Sequence, residues 1–511
     1  MSAAPSAAQR DFALAREVDA YVGEVCRGYT WRVSGEGKVI RDAVHGYQLL
    51  EPHEVAVLNS PLVQRTRLIH QTALAYFVYP TATHTRFDHG LGVAKVAGSM
   101  ADALVVRNEL AGRSDPILTR RRLRLAALLH DIGHVMWSHL GESLLSELFA
   151  RELAEARAAH EAFADKKIGD ILSYLMITSP TFVEGLNQVG ESVGLGATAG
   201  PEIAGLVLGY SADPNLQFEA DIVSGPFDAD KLDYLLRDCH FSGIRSTIDI
   251  DRLYLSARVL REKDMPGLLA WDISSIPNLE QVLFAKLMLF PALYHHQKVR
   301  AFECTFRSAI ELIRQNRDRV GDQLQLERIR DWLRVSEQDF LVWGSTAEVL
   351  RDGIGRLIWR QPLRRAVVLS RDAVSDHTRF RAYSLKMAEE TPEGMRRLRQ
   401  EIHDRLPDPS RCPIEDVWVD LPRMPDLVRD IEQTVITWGD GSQHATLSSD
   451  QFQWTNWTAN YAEVKWRGHV FCRDEPSIRK DVGRVAAEIL RERFGVELTA
   501  GAWTAAKNER D

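Results

Sequence analysis

A chain of 511 residues, 45% hydrophobic and 26% charged, has the composition of a globular protein and is too long for one simple core. A net charge of -8 excludes a protein that coats nucleic acid by bulk attraction, while leaving room for a local basic pocket. The five cysteines (Cys26, Cys239, Cys304, Cys412 and Cys472) are scattered without a CxxC pair, which reads as reduced thiols in a cytoplasm and excludes a disulfide framework.

The opening MSAAPSAAQRDF has no apolar stretch of the kind a secretory signal needs. Residues 12–28 read as a short helix, and an N-terminal helix and arm occupy 1–35. Glycine punctuation and alternation over 31–48 predict a small hairpin or extended arm. From Pro52 apolar residues recur at helical spacing, and most of the chain to about Ile313 reads as helix. Val93, Val96, Met100 and Leu104 form one stripe of such a helix. RLRLAALLHD reads as a buried helix whose end delivers His130 and Asp131. The breaker-rich stretches 179–202 and 211–219 read as loops over a site.

A second major helix covers 279–313, kinked or broken at Pro291. Its apolar run is interrupted by Lys286 and Pro291 and is too short to span a bilayer. After about Trp343 the character changes. RRAVVLS and EVKWRGHVFCR are strand-like, and SIRKDVGRVAAEILRERFG is a terminal amphipathic helix ending at a glycine. The expected fold is mainly α: a helical catalytic core over 36–345 and a smaller α+β C-terminal lobe over 346–511.

Of the 16 histidines, His45, His53, His70, His84, His89, His130, His134, His139 and His160 fall in the first third, which places the chemistry there. Three motifs stand out: RFDH at 86–89, LLHDIGH at 128–134 and FDADKLDYLLRDCH at 227–240. They supply His89, His130, Asp131 and Asp230, two imidazoles and two carboxylates. That mix suits a borderline divalent ion holding a water next to a phosphate. In the third motif Asp230, Tyr234 and Asp238 lie at i, i+4 and i+8 with Lys231 beside them, while Leu232, Leu235, Leu236 and Cys239 form the apolar face. A buried Asp131 needs a cation or donors. His134 and His139 are then candidates for proton transfer, and His160, followed by Glu161, is a further one, although AAHEAF also suits a solvated helix face. Gly90 and Gly92 permit close approach, and Arg86 offers a planar fork to a phosphate.

The order His89, His130-Asp131, Asp230 resembles the H…HD…D pattern of the HD-domain metal phosphohydrolases. From about Lys38 to Lys298 the chain is similar to the SAM-and-HD-domain dNTP triphosphohydrolase family and its bacterial dGTP-triphosphohydrolase-like relatives. KVIRDAVHGYQLL, SPLVQRTRLIHQTALAYFVYPTATHTRFDHGLGVA, LLHDIGHVMWSHLGE and FDADKLDYLLRDCHFSGI carry the likeness. Too few residues precede Lys38 for a SAM domain. The resemblance implies that His89, His130, Asp131 and Asp230 hold Fe, Mn, Zn or Ni, with Mg on the triphosphate. It implies a catalytic group of His134, His139, His160 and Glu142, with His139 protonating the leaving 5′ oxygen. Arg86, Lys231 and Tyr234 would contact phosphates and sugar, and Gln71 and Asp238 would read the 3′-OH. Lys286, Tyr294 and Lys298, aligned across a one-residue gap, would finish the pocket.

The implied reaction is attack at the α-phosphorus of a dNTP, releasing a deoxynucleoside and triphosphate. Regulated members hold a nucleotide activator at a subunit interface through residues matching Lys38, Val39, Gln64 and Arg67. The guanine-reading carboxylate of that site matches Asn59, whose one acceptor and one donor suit thymine or adenine better. A cytoplasmic homotetramer follows, with a nucleotide activator or inhibitor at its interfaces, no membrane contact and no strong nucleic-acid binding. Its role is dNTP pool control or depletion in antiphage defence. The alternatives are an HD phosphodiesterase or nuclease, and a nucleotide-sensing regulator with little turnover. Gln71, Tyr234 and Asp238 favour the dNTP reading, because they describe a closed sugar pocket.

Overall fold

Stretches with one apolar face dominate the first 360 residues, and in the computed structural model they fold as helices, as the mainly α expectation required. The structure describes residues 10–33, 35–112, 114–260, 266–377, 391–423, 427–439, 443–447, 461 and 464–508. Residues 1–9, where the leader was sought, and Glu463 of the strand-like run lie outside them.

Helix α1 (Ala13–Val25) buries Leu14, Val18, Tyr21 and Val22. The expected hairpin is β1 (Lys38–Asp42) and β2 (Gly46–Leu50), antiparallel with Lys38 opposite Leu50. Short helices α2 (Pro52–Leu58) and α3 (Pro61–Arg65) precede α4 (Arg86–Val106). The Val93, Val96, Met100 and Leu104 stripe is buried, and α4 packs along α5 (Pro116–Leu129), whose C-cap is His130. Then come α6 (Ser138–Leu148), α7 (Ala150–Ala159), α8 (Ile168–Ile177), α9 (Pro180–Ser192), α10 (Ala199–Val207), α11 (Gln217–Ser224) and α12 (Ala229–Ser242).

The loop expectation for 179–202 is overturned, because α9 and α10 fill it. Pro180 sits at the first helical position, where its missing N–H is harmless, and Phe182, Leu186 and Val189 recur at helical spacing and are buried. Gly185 acts there as a contact residue: a Cβ would stand 2.0 Å from the Trp31 indole nitrogen. Of 211–219, only the first half is irregular. A 3₁₀ turn occupies Pro214–Leu216 and α11 begins at Gln217.

Next are α13 (Ile250–Leu255), β3 (Ala257–Val259) and β4 (Leu269–Asp272). The helix read over 279–313 is two helices, α14 (Ile276–Leu289) and α15 (Gln297–Gln315), joined by a π-helical turn at Phe290–Tyr294 that accommodates Pro291. Helices α16 (Ile329–Arg334), α17 (Glu337–Thr346) and α18 (Arg351–Ile358) follow. The last third contains β5 (Arg364–Leu369), α19 (Pro392–Asp404), β6 (Trp418–Asp420), α20 (Leu427–Glu432), β7 (Val435–Trp438), β8 (Gln443–Thr446), β9 (Gly468–Cys472), α21 (Pro476–Phe494) and α22 (Ala500–Ala506).

One large core runs from Phe12 to Leu357, and a second is built from residues between Ala366 and Trp503. The antiparallel sheet β5-β9-β6 belongs to the second. The other large sheet, β3-β4-β7-β8, draws on both parts of the chain: β7 pairs parallel to β4, with Trp271 opposite Ile436. Leu427, Ile431 and Ile436 accordingly join the first core. Among the described residues no helix is long and apolar enough to cross a membrane.

Candidate active site

Three helix ends deliver the histidine and carboxylate cluster. Thr85 and Asp88 form a capping box that fixes the first turn of α4, the turn carrying Arg86 and His89. Helix α5 ends at His130 and hands over Asp131. Asp228 caps α12, its Oδ1 accepting from the Lys231 amide at 2.7 Å, which sets Asp230 in the first turn.

His89, His130 and Asp230 converge, one donor atom of each lying within 4.8 Å of the others, and Asp131 Oδ2 lies beside both histidines. His89 Nε2 is 2.9 Å from Asp230 Oδ1 and 3.5 Å from Asp131 Oδ2, and His130 Nε2 is 3.3 Å from Asp131 Oδ2 and 3.9 Å from Asp230 Oδ1. His130 Nδ1 donates to the Ala127 carbonyl at 2.7 Å, so Nε2 carries the lone pair. That Nε2 is buried without a hydrogen-bond partner among the described residues. An orphaned imidazole nitrogen facing two carboxylates fits a divalent cation, and the donor set of two nitrogens and two oxygens suits a borderline metal.

The electrostatics fit a cation as well. Burial works against charge on His89, but its hydrogen bonds to Asp230 and Asp233 outweigh burial and raise the imidazole to about 10. Burial also opposes ionisation of Asp131, yet Arg86, then His130 and His134, hold that carboxyl well below the usual range. Asp230 is likewise held low, chiefly by the His89 hydrogen bond against the effect of burial.

Beside this group lies a second one. His139 Nδ1 is 2.6 Å from Glu142 Oε2, and His134 bridges between Asp131 Oδ1 (3.2 Å) and Glu142 Oε1 (3.7 Å). Burial and the nearby Arg86 push the His134 imidazole down. Against burial, His134 and the His139 hydrogen bond keep Glu142 well below the usual carboxylate range. Glu142 is buried, whereas the His139 side chain is 63% exposed and opens into a cavity of about 750 Å³. Arg86 spans both groups, donating to Asp131 Oδ2 at 2.5 Å and lying 3.4 Å from His139 Nε2.

Gln71, Arg86, Lys231, Tyr234, Asp238, Lys286 and Tyr294 line that cavity with His130, Asp131, His134, His139, Glu142 and Asp230. His89 lies just behind its wall, fully buried. Lys231 Nζ donates to the Gly225 carbonyl (2.7 Å) and Asp228 Oδ2 (2.8 Å), and Lys286 Nζ to Asp430 Oδ2 (2.5 Å). Asp238 accepts from the Tyr294 hydroxyl and pairs with His84 Nε2 at 2.7 Å. Gln71 Oε1 is buried without a hydrogen-bond partner among the described residues.

Two expected residues are not brought in. His160 ends α7 and is buried against the edges of Phe12 and Phe163, with ring centroids 5.9 and 4.9 Å away; it does not line the cavity. Lys298 is exposed on the first turn of α15. The cavity-lining cations of that helix are Arg300, held by Asp420 and Glu303, and Arg307, held by Glu147. The five residues aligned with a regulatory nucleotide are at the surface. Lys38 and Val39 are exposed on β1, Asn59 is the exposed C-cap of α2, and Gln64 Oε1 accepts from exposed Arg67 Nε at 2.9 Å.

A buried network behind His89 escaped the motif reading. Asp233 Oδ2 accepts from His89 Nδ1 at 2.7 Å, and its other oxygen meets His45 Nε2 at 2.6 Å. Arg237, which also donates to Asp42 at 2.9 Å, binds both oxygens. Gly92 makes this possible: a Cβ there would stand 1.9 Å from Asp233 Oδ1. The i, i+4 spacing of Asp233 and Arg237 was the available signal. Arg300, Arg307 and Asp430 in the cavity wall, and Glu337 behind it, had none, since they come from elements that no motif marks.

The profile of the HD domain family matches residues 86–180. An uncharacterised protein of Methanocaldococcus jannaschii is 31% identical over 307 residues, 59% of this chain and 56% of that one. The deoxynucleoside triphosphate triphosphohydrolase SAMHD1 of Homo sapiens is 30% identical over 279 residues (51% and 42%), and that of Gallus gallus 29% over 284 residues (54% and 45%). The match spans about half the length of these relatives. Residues 86–180 therefore match the HD domain family, and about half of the chain is similar to the deoxynucleoside triphosphate triphosphohydrolases SAMHD1.

Proposed function

We propose that this HD-domain protein is a metal-dependent dNTP triphosphohydrolase, converting a dNTP and water to a deoxynucleoside and intact triphosphate. The observation that carries this reading is the His139–Glu142 pair opening into the same cavity as the two-histidine, two-carboxylate group, with Arg86 between them. A cation held by His89, His130, Asp131 and Asp230 would supply Lewis acidity and a readily deprotonated water beside the α-phosphate. The hydrogen bonds from His89 Nδ1 to Asp233 and from His130 Nδ1 to the Ala127 carbonyl hold both rings with Nε2 forward. Arg86, Lys231 and Lys286 offer donors to the phosphate oxygens. In the overall exchange a water oxygen would bond to the α-phosphorus as the bond from phosphorus to O5′ breaks, the proton lost by the water passing to solvent. His139 Nε2 passes its proton to O5′, while Glu142 steadies the imidazolium through Nδ1. The unpartnered Gln71 Oε1 is free to accept from a sugar 3′-OH, and Tyr234 closes against the ribose face.

The same reading makes the protein a cytoplasmic homotetramer. A nucleotide activator or inhibitor would bind around Lys38, Val39, Asn59, Gln64 and Arg67, and the role would be dNTP pool control or depletion against phage. The test is incubation with each dNTP, singly and in pairs, with Mg²⁺ or Mn²⁺, and chromatography of the products. Deoxynucleoside and triphosphate are expected. A monophosphate with pyrophosphate, or no turnover under any pairing, would refute it.

A further inference from the structure

Immediately before His139 the backbone is strained. Trp137 and Ser138 both stand in the left-handed region, at φ +55° and +51°, where residues with a Cβ need outside support. Part of that support is the Trp137 ring, fully buried against Phe306 and Phe340 with centroids 4.4 and 5.3 Å away. The rest is a carboxylate from the distant helix α17. Glu337 Oε1 accepts from the Trp137 amide at 2.8 Å and from the His70 amide at 2.9 Å, and Oε2 pairs with His70 Nδ1. The Ser138 hydroxyl donates to the His70 carbonyl at 2.6 Å and accepts from Arg86 Nε at 3.0 Å. Glu337 is buried, 4% exposed, and does not line the cavity.

We propose that Glu337 is a positioning residue: by gripping the Trp137 and His70 amides it holds the left-handed turn that aims His139 and Arg86 at the reacting phosphate. This rests on the triphosphohydrolase reading, in which those two side chains act on substrate. The grip depends on an acceptor at the right reach, not on charge. Gln keeps the acceptor, Asp keeps the charge but is one methylene short, and Ala has neither. Helix α17 does not need Glu337 to form, since Ser336 and Asp339 cap each other at 3.1 Å in both directions.

The experiment compares Glu337→Gln, Glu337→Asp and Glu337→Ala in metal-loaded full-length protein. Turnover is measured with dNTP and with bis(p-nitrophenyl) phosphate, metal content by mass spectrometry, and amide hydrogen exchange across Trp137–Leu140. The Ala and Asp variants should lose about ten- to a hundredfold in kcat, the range a misplacement of about 1 Å produces, with KM and metal content little changed. Their Trp137 amide should exchange faster, and Gln should restore both turnover and protection. A folded Ala variant with wild-type kcat overturns the proposal, as does a Gln variant as slow as Ala. Wild-type protein that cleaves the chromogenic diester but no dNTP refutes the substrate reading, and the diester series still decides the role of Glu337. If wild type cleaves neither, both fall.

Discussion

Asp233→Asn should cost metal affinity without touching any residue of the four-donor group. Asn preserves size and one acceptor oxygen but removes the charge that four donor atoms now share: His89 Nδ1, His45 Nε2 and two nitrogens of Arg237. His89 then loses the strong acceptor that fixes its tautomer and makes Nε2 a better donor. Losses of this kind are about 10–100-fold in metal affinity, or about 1.4–2.7 kcal/mol. Stability falls too. Breaking one partner of a buried ion pair typically costs about 3–5 kcal/mol, and the lower end applies because Asp42 stays 2.9 Å from Arg237. The assay is chelator competition with metal counted by mass spectrometry, beside thermal unfolding. His45→Ala is the control, since it leaves the His89 and Arg237 contacts of Asp233 in place and should hold affinity to within about threefold. Wild-type metal affinity in Asp233→Asn would refute the claim that Asp233 orients His89.

Three other outcomes are expected. His139→Ala should lower kcat on the order of 10²–10⁴-fold with a much smaller change in KM; lost binding with normal saturated turnover would make His139 a phosphate ligand instead. Burial raises Asp221 from its usual 3.8 to about 6, against its hydrogen bonds from the Leu269 amide and Gln217. Its stabilising contribution is therefore full below about pH 4 and lost as pH rises through about 6, at most roughly 3 kcal/mol. Asp221→Asn should flatten the fall in unfolding temperature between pH 5 and 7.5, and an unchanged slope contradicts this. If Asn59 faces an activator base, dTTP or an adenine nucleotide should activate better than GTP, and Asn59→Asp should shift preference toward guanine by on the order of tenfold. Equal responses of both proteins to every nucleotide would remove Asn59 from any base-reading role.

The parts of the cluster legible in the sequence are those whose backbone and side chain lie on one short segment. RFDH, HDIGH and the α12 motif each present chemistry within a turn or two, and periodicity alone put Leu232 and Leu235 in the core beneath Asp230. The partners that orient these groups were not legible, because contacts such as His89 to Asp233 or Trp137 to Glu337 join residues 144 and 200 positions apart. His160 had the right residue type but ends α7 beside Phe12 and Phe163, outside the cavity lining. Breaker counting failed at Gly185, where the missing Cβ serves the Trp31 ring and not a turn.

Strand β7 lies parallel to β4, and α20 just before it carries Asp430 to Lys286. During synthesis, then, the helical half emerges with one sheet edge open and one cavity lysine still lacking its counter-charge. Val435, which docks beside Ala270, is made 165 residues after it. The helical half is thus closed by chain made long after its motifs, and a fragment cut near 345 keeps His89, His130, Asp131 and Asp230 while exposing the β4 edge to pairing with other chains.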